Sequence, residues 1–248
     1  MHSPLRTTIP IETLLLAYRS GIFPMADKRE DQDIFWVEPR DRAILPLDGF
    51  HFSKSLRKIV RADRYRVTID TAFETVVNAC ADPRPGHPET WISERIVRSY
   101  AALHKAGHAH SIECWQDSED GNEPPVLVGG LYGVSFDRVF CGESMFSRAD
   151  NASKVALSWL VALMRHAGYR LLDCQFMTEH LSSLGATEMP QRLYLQAVER
   201  ARGKTRMSLP QAYAQFAQDG GFGDQLPFEG ALEDSPGKRI AQSLTQTS

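Results

Sequence analysis

The order of the periodic segments between residues 65 and 201 constrains this chain more than any other feature. A strand-like run at Tyr65 to Ile69 precedes Asp70, which suits an N-cap, and a helical stripe of Phe73, Val76, Val77 and Cys80. Proline and glycine between Pro83 and Pro88 break the chain before a second helix, from about Ser93 to Ala106, with Ile96, Val97, Tyr100 and Leu103 on one side. Strands follow at Ala109 to Trp115, Val126 to Phe136 and Val139 to Glu143. A helix then runs from about Ala152 to His166, capped by Asp150 or Asn151. A strand at Arg170 to Phe176 and helices near Thr178 to Leu184 and Gln191 to Ala201 complete the series. These elements predict an α+β fold around one mixed sheet.

That order is similar to the GCN5-related N-acetyltransferase (GNAT) arrangement, a resemblance that speaks to fold and leaves the chemistry to the site. The first sixty or so residues have another texture: a short helix from about Ile11 to Ser20 stopped by Gly21, then Phe23-Pro24 and a polar loop. The expected organisation is a small N-terminal lobe over residues 1–64, a GNAT-like domain over 65–218, and a poorly ordered, Gly-rich tail over 219–248.

Composition narrows the function classes. The 248 residues are 42% hydrophobic and 24% charged with a net charge of -3, an ordinary globular balance, so any nucleic-acid contact must come from a local basic patch. One exists: Lys54, Arg57, Lys58, Arg61, Arg64 and Arg66 cluster around a helical pattern of Leu56, Ile59 and Val60, which puts the cations on the exposed face. A merely solvated basic helix is the alternative. Cys80, Cys114, Cys141 and Cys174 are far apart and form no C-x-x-C pair, as expected of buried thiols in a reducing compartment, and they make a poor zinc set. Leu14-Leu15-Leu16-Ala17 is too short to span a membrane, so the protein is expected in the cytoplasm with no membrane partner.

Two constellations could carry chemistry. Along the strand at Arg170 to Phe176, alternation puts Leu171, Asp173 and Gln175 on one face and Leu172, Cys174 and Phe176 on the other. A carboxylate on so apolar a strand must be paired or used; both readings stay open. The second is Gly142-Glu143-Ser144-Met145-Phe146-Ser147-Arg148, expected at a strand-to-helix junction. GNAT enzymes seat the coenzyme A pyrophosphate at that junction on a glycine-containing loop. The run here, Arg148-Ala149-Asp150-Asn151-Ala152-Ser153, has no glycine and carries an acid, which argues against an acetyl-coenzyme A donor.

Gly21-Ile22-Phe23-Pro24, Thr90-Trp91-Ile92, His108 to Glu113, Leu127 to Gly133, the run around Glu143, Leu172-Asp173-Cys174-Gln175 and Ser183-Leu184-Gly185-Ala186 together resemble the leucyl/phenylalanyl-tRNA-protein transferase family. The resemblance extends from about Leu14 to Val198. It implies transfer of Leu, Phe or Met from aminoacyl-tRNA to proteins beginning with Arg or Lys, as in N-degron degradation, by a monomer that needs no separate cofactor; the cysteine spacing already gives no expectation of a metal. Aminoacyl-tRNA is already an activated ester, so the reaction asks only for positioning and proton handling. The alternatives are an acetyl-coenzyme A-dependent GNAT enzyme and a non-catalytic tRNA-binding protein.

The same resemblance assigns residues. Asp173 would orient or deprotonate the attacking amine, Gln175 would place the amine or the oxyanion, and Glu143 would hold the aminoacyl group or the amine. Leu131, Phe140, Leu157, Leu160, Met164 and Leu172 would line the amino-acid pocket, with plain core packing as the alternative for each. Trp91, Tyr100 and Met25 would meet the tRNA 3' end, although the two aromatics could simply anchor the adjoining helix. Lys54, Arg57, Lys58 and Arg61 would hold acceptor-stem phosphates. Three departures stand out: Met25 where many members carry a tryptophan, Trp36-Val37-Glu38-Pro39 in place of the usual tryptophan, any residue, serine, proline run, and a longer connection from Gln116 to Pro125.

Overall fold

The structure, a computed structural model, describes residues 8–83, 89–118, 122–217 and 235–246. Residues 84–88 of the expected break, 119–121 of the long connection, 218 at the end of the expected GNAT-like domain, and 219–234 and 247–248 of the expected tail lie outside these residues. The helices are α1 Ile11–Arg19, α2 Lys54–Arg61, α3 Phe73–Ala81, α4 Glu94–Lys105, α5 Ala152–Ala167, α6 Glu179–Ser183, α7 Gln191–Arg200, α8 Leu209–Ala217 and α9 Pro236–Thr245. The strands are β1 Phe23–Met25, β2 Phe35–Val37, β3 Asp41–Ile44, β4 Arg66–Ile69, β5 Ala109–Gln116, β6 Val126–Phe136, β7 Val139–Ser147, β8 Leu171–Gln175 and β9 Thr187–Pro190.

Seven strands form one sheet in the order β4-β5-β6-β7-β8-β3-β9, while β1 and β2 make a separate antiparallel ribbon. All pairs in the sheet are antiparallel except β7 with β8, which α5 links as a crossover. The apolar residues divide into two clusters. One gathers α2, α5, α8 and α9; the other gathers α1, α3, α4 and α7. The fold is therefore a mixed α+β sheet, mostly antiparallel, with helices over both faces.

Two glycines of Leu127 to Gly133 explain how closely the layers meet. A Cβ on Gly129 would lie 2.5 Å from the Ala152 Cβ, so its absence lets the start of α5 rest on β6. A Cβ on Gly133 would lie 2.3 Å from the Cys141 carbonyl oxygen, where β6 and β7 lose register.

Several expectations need correction. Asp70 does not cap α3, which starts at Phe73 after Ala72. Its backbone is left-handed (φ 58°) and its carboxylate accepts the Ser111 N–H at 2.9 Å and contacts His110 Nδ1 at 2.7 Å. Neither Asp150 nor Asn151 gives α5 a side-chain cap; Ser147 Oγ accepts the Ser153 N–H at 3.2 Å instead. Gly142 to Ser147 is strand, because β7 stays paired with β6 as far as Ser147. Within the described residues 8–64, β3 sits between β8 and β9 of the main sheet and α2 packs on α5 and α9. The tail expected over 219–248 contains α9, whose Ile240, Ala241 and Leu244 are buried in the α5 cluster.

Candidate active site

The parallel pairing of β7 with β8 lasts only from Val139 to Cys141 against Leu171 to Asp173. Beyond it the two strands separate, and a cavity of about 540 Å³ opens under α5. Its apolar wall comes from Leu131, Leu157, Leu160 and Leu172, joined by Met145, Cys174 and Leu181. Met25, Trp91 and Phe176 add a thioether and two aromatic surfaces, and Phe176 is 46% exposed. Glu143, Gln175 and several hydroxyls supply the polar part.

Glu143 reaches the cavity because of a bulge. In the β6–β7 ladder Tyr132 pairs with Ser144 and Gly133 with Gly142, which leaves Glu143 between them without a partner and re-aims its side chain. Tyr18 of α1 donates to its Oε1 at 2.7 Å, Gln175 Nε2 donates to the same atom at 3.0 Å, and Tyr100 of α4 donates to Oε2 at 3.0 Å. Burial pushes the carboxyl up to about 7; the three donors pull against that shift and the Asp173 carboxylate adds to it. Burial also holds the Tyr18 and Tyr100 hydroxyls well above their ordinary range, so both remain donors.

Asp173 has a different environment. It is fully buried, and its two oxygens accept four hydrogen bonds: Oδ1 from Arg42 Nε at 3.2 Å and from the Gln175 backbone N–H at 2.8 Å, Oδ2 from Arg42 Nη2 and from the Tyr194 hydroxyl at 3.0 Å. These bonds fill the acceptor positions of a carboxylate, and Asp173 is not among the cavity-lining residues. The structural-pair reading therefore describes its surroundings, and a direct contact with an attacking amine does not. Gln175 departs from strand alternation: its φ of 63° is left-handed, and the side chain turns to Glu143.

The other expected residues divide. Leu131, Leu157, Leu160 and Leu172 line the cavity, whereas Phe140 and Met164 are fully buried behind it and are core. Trp91 and Met25 line it. Tyr100 has no exposed surface, packs edge-on against Tyr132 with centroids 5.6 Å apart, and offers no face to a base; its hydroxyl serves Glu143. Lys54, Lys58 and Arg61 are exposed on α2 and Arg57 is half-buried there. Arg57 and Arg61 flank a smaller concavity of about 280 Å³ shared with Lys238 of α9.

Sequence reasoning missed Tyr18, Arg42 and Tyr194, as well as Phe176 and His180. Burial, then Lys154, pushes the His180 imidazole down toward its neutral form, and its Nε2 has no hydrogen-bond partner among the described residues. Placing Leu172, Cys174 and Phe176 on one strand face was the signal that could have found Phe176.

The sequence profile described as leucyl/phenylalanyl-tRNA protein transferase matches residues 44–199, and the profile of its N-terminal domain matches residues 8–40. The chain belongs to this family. A family member from Novosphingobium aromaticivorans, named leucyl/phenylalanyl-tRNA–protein transferase, is 53% identical over 97% of this chain and 97% of its own. Members with the same name from Maricaulis maris and Rhizorhabdus wittichii are 47% and 54% identical, over 96% and 77% of this chain and 97% and 75% of theirs. FemX superposes over 83% of this chain and 70% of its own with a TM-score of 0.49 and 11% identity. As a member of the leucyl/phenylalanyl-tRNA–protein transferase family the protein is a transferase, and the matched stretch 44–199 contains Glu143, Asp173 and Gln175. Among the described residues no helix is long and apolar enough to cross a membrane.

Proposed function

We propose that the cavity takes the aminoacyl end of a charged tRNA and transfers its amino acid to a protein beginning with Arg or Lys, on a GNAT-like scaffold, as a monomer in the cytoplasm. The observation that carries this reading is Glu143, a carboxyl pushed up to about 7 at the wall of an apolar cavity. Such a group can both accept and return a proton near neutral pH. Tyr18, Gln175 and Tyr100 occupy three of its four acceptor positions, so one on Oε2 remains for the acceptor amine.

The amine attacks the ester carbonyl; the C–N bond forms, the ester C–O bond breaks, and the proton lost by nitrogen leaves with the ribose oxygen. Glu143 carries that proton. Gln175 gives one amide N–H to Glu143 and has a second for the oxygen that gains charge in the tetrahedral intermediate. Leu131, Leu157, Leu160 and Leu172 accept Leu, Phe or Met side chains, and since one methylene in such a pocket changes binding by about 1 to 3 kcal/mol, moderate promiscuity follows. Trp91 and Met25 flank the tRNA end, and the exposed cations of α2 meet phosphates. The donor ester is already activated, so no cofactor is called for.

Purified protein given labelled Leu- or Phe-tRNA and a peptide beginning with Arg is expected to form the extended peptide. Product from no charged tRNA, with tRNA still bound, would leave a binding protein and overturn the reading.

A further inference from the structure

Arg42 is the only fully buried arginine among the described residues, and its partner Asp173 is equally buried. Exchanging a buried ion pair for apolar side chains of similar volume is often neutral or stabilising, so stability alone does not account for this one. Its geometry offers another account. Burial would push the guanidinium down, and Asp173 more than reverses that. Nη1 donates to the Gly21 carbonyl at 3.0 Å, Nη2 reaches the Tyr194 hydroxyl at 3.4 Å, and the group lies 5.1 Å from the Phe23 ring and 4.4 Å from the Tyr194 ring.

Both lines from Arg42 lead to the cavity. Through Asp173 Oδ1 it meets the backbone N–H of Gln175, a non-glycine residue in a left-handed conformation that would not persist unheld. Gln175 in turn donates to Glu143. Through Phe23 it meets Phe176 edge-on at 5.7 Å, and Met25 of the same strand lines the cavity.

We propose that Arg42 is a positioning residue for the transfer reaction: its two-pronged grip on Asp173 fixes the left-handed turn at Gln175, and with it the Gln175–Glu143 hydrogen bond. This rests on the reading that Glu143 and Gln175 serve aminoacyl transfer. Arg42→Lys keeps the charge but cannot span both carboxylate oxygens.

Two variants test it, Arg42→Lys and the apolar pair Arg42→Met with Asp173→Leu, the second expected to fold even if the first does not. In both, hydrogen exchange at the Gln175 amide should quicken at least roughly tenfold, and kcat should fall roughly tenfold to a hundredfold, as for a small misplacement of reacting groups. KM for the charged tRNA should stay within about twofold, because the grip does not touch donor. Added to Gln175→Ala, Arg42→Lys should cost little more, since the line through Asp173 is already cut and the change leaves the Phe23–Phe176 contact in place. Unchanged Gln175 exchange in either folded variant, losses that multiply with Gln175→Ala, or full kcat in the apolar pair would overturn the proposal. The exchange measurement decides it even if the unmodified protein transfers nothing, a result that would count against the function alone.

Discussion

In the proposed reaction, Glu143 is the residue expected to set the pH dependence. With its carboxyl at about 7, the ionised fraction rises through neutrality, so the transfer rate is expected to climb with pH up to about 7 and then level. Glu143→Gln should lower kcat by about 10²- to 10⁴-fold and abolish that limb, which a pH–rate profile with a dipeptide acceptor would show. Folding is linked with the opposite sign. The folded state holds the proton from the ordinary 4.5 up to about 7, so stability from this group is lost as pH rises through that window, by a few kcal/mol in order of magnitude. Melting at pH 5.5 and pH 8 with and without Glu143→Gln measures it. Leu160 makes a separate point, since Leu160→Phe fills part of the apolar wall. It should lower kcat/KM for Phe-tRNA relative to Leu-tRNA by roughly tenfold or more, and an unchanged ratio would remove Leu160 from the side-chain pocket.

Among the elements, α9 is the clearest case of structure hidden in a bland sequence. Its apolar residues are only Ile240, Ala241 and Leu244, one narrow stripe, yet Gly237 lies so close to α2 that an added Cβ would stand 1.9 Å from the Val60 carbonyl oxygen. Gly237→Ala should therefore lift the start of α9 and lower the denaturant midpoint, while Ile240→Ala should cost about 2 to 5 kcal/mol by the cavity it leaves. The long periodic elements α3, α4, α5, β5 and β6 were legible because each buries a recurrent apolar set. Missed were β1, β2, β3, β9 and α8. In β3 the reason is specific: Asp41 and Arg42 make it look like a surface turn, since arginine is almost never buried without a partner, and the partner lies on another strand. The candidate site divides the same way. The family resemblance drew attention to Glu143 and Gln175, but the bulge that turns the first and the left-handed turn that turns the second are backbone events that no alternation pattern encodes.

At the scale of the molecule, a net charge of -3 means that a polyanion must be met locally, and α2 presents Lys54, Lys58 and Arg61 to solvent. Affinity for tRNA should fall steeply between about 50 and 200 mM salt. Each of Lys54→Ala, Lys58→Ala and Arg61→Ala should flatten the log–log slope by roughly 0.7 to 0.9. A slope indifferent to all three would place the tRNA on another face. The position of β3 has a consequence of a different kind. Strand β8 needs β3 on one side and β7 on the other, and Arg42 and Asp173 stand 131 residues apart. During synthesis β3 must therefore wait, unpaired, until β8 at Leu171–Gln175 of the 248 residues has left the ribosome, with a cation on it that cannot be buried alone. The proposed reaction site is thus completed late in the nascent protein, and a chain that terminates early exposes an unclosed sheet edge to chaperones and proteases.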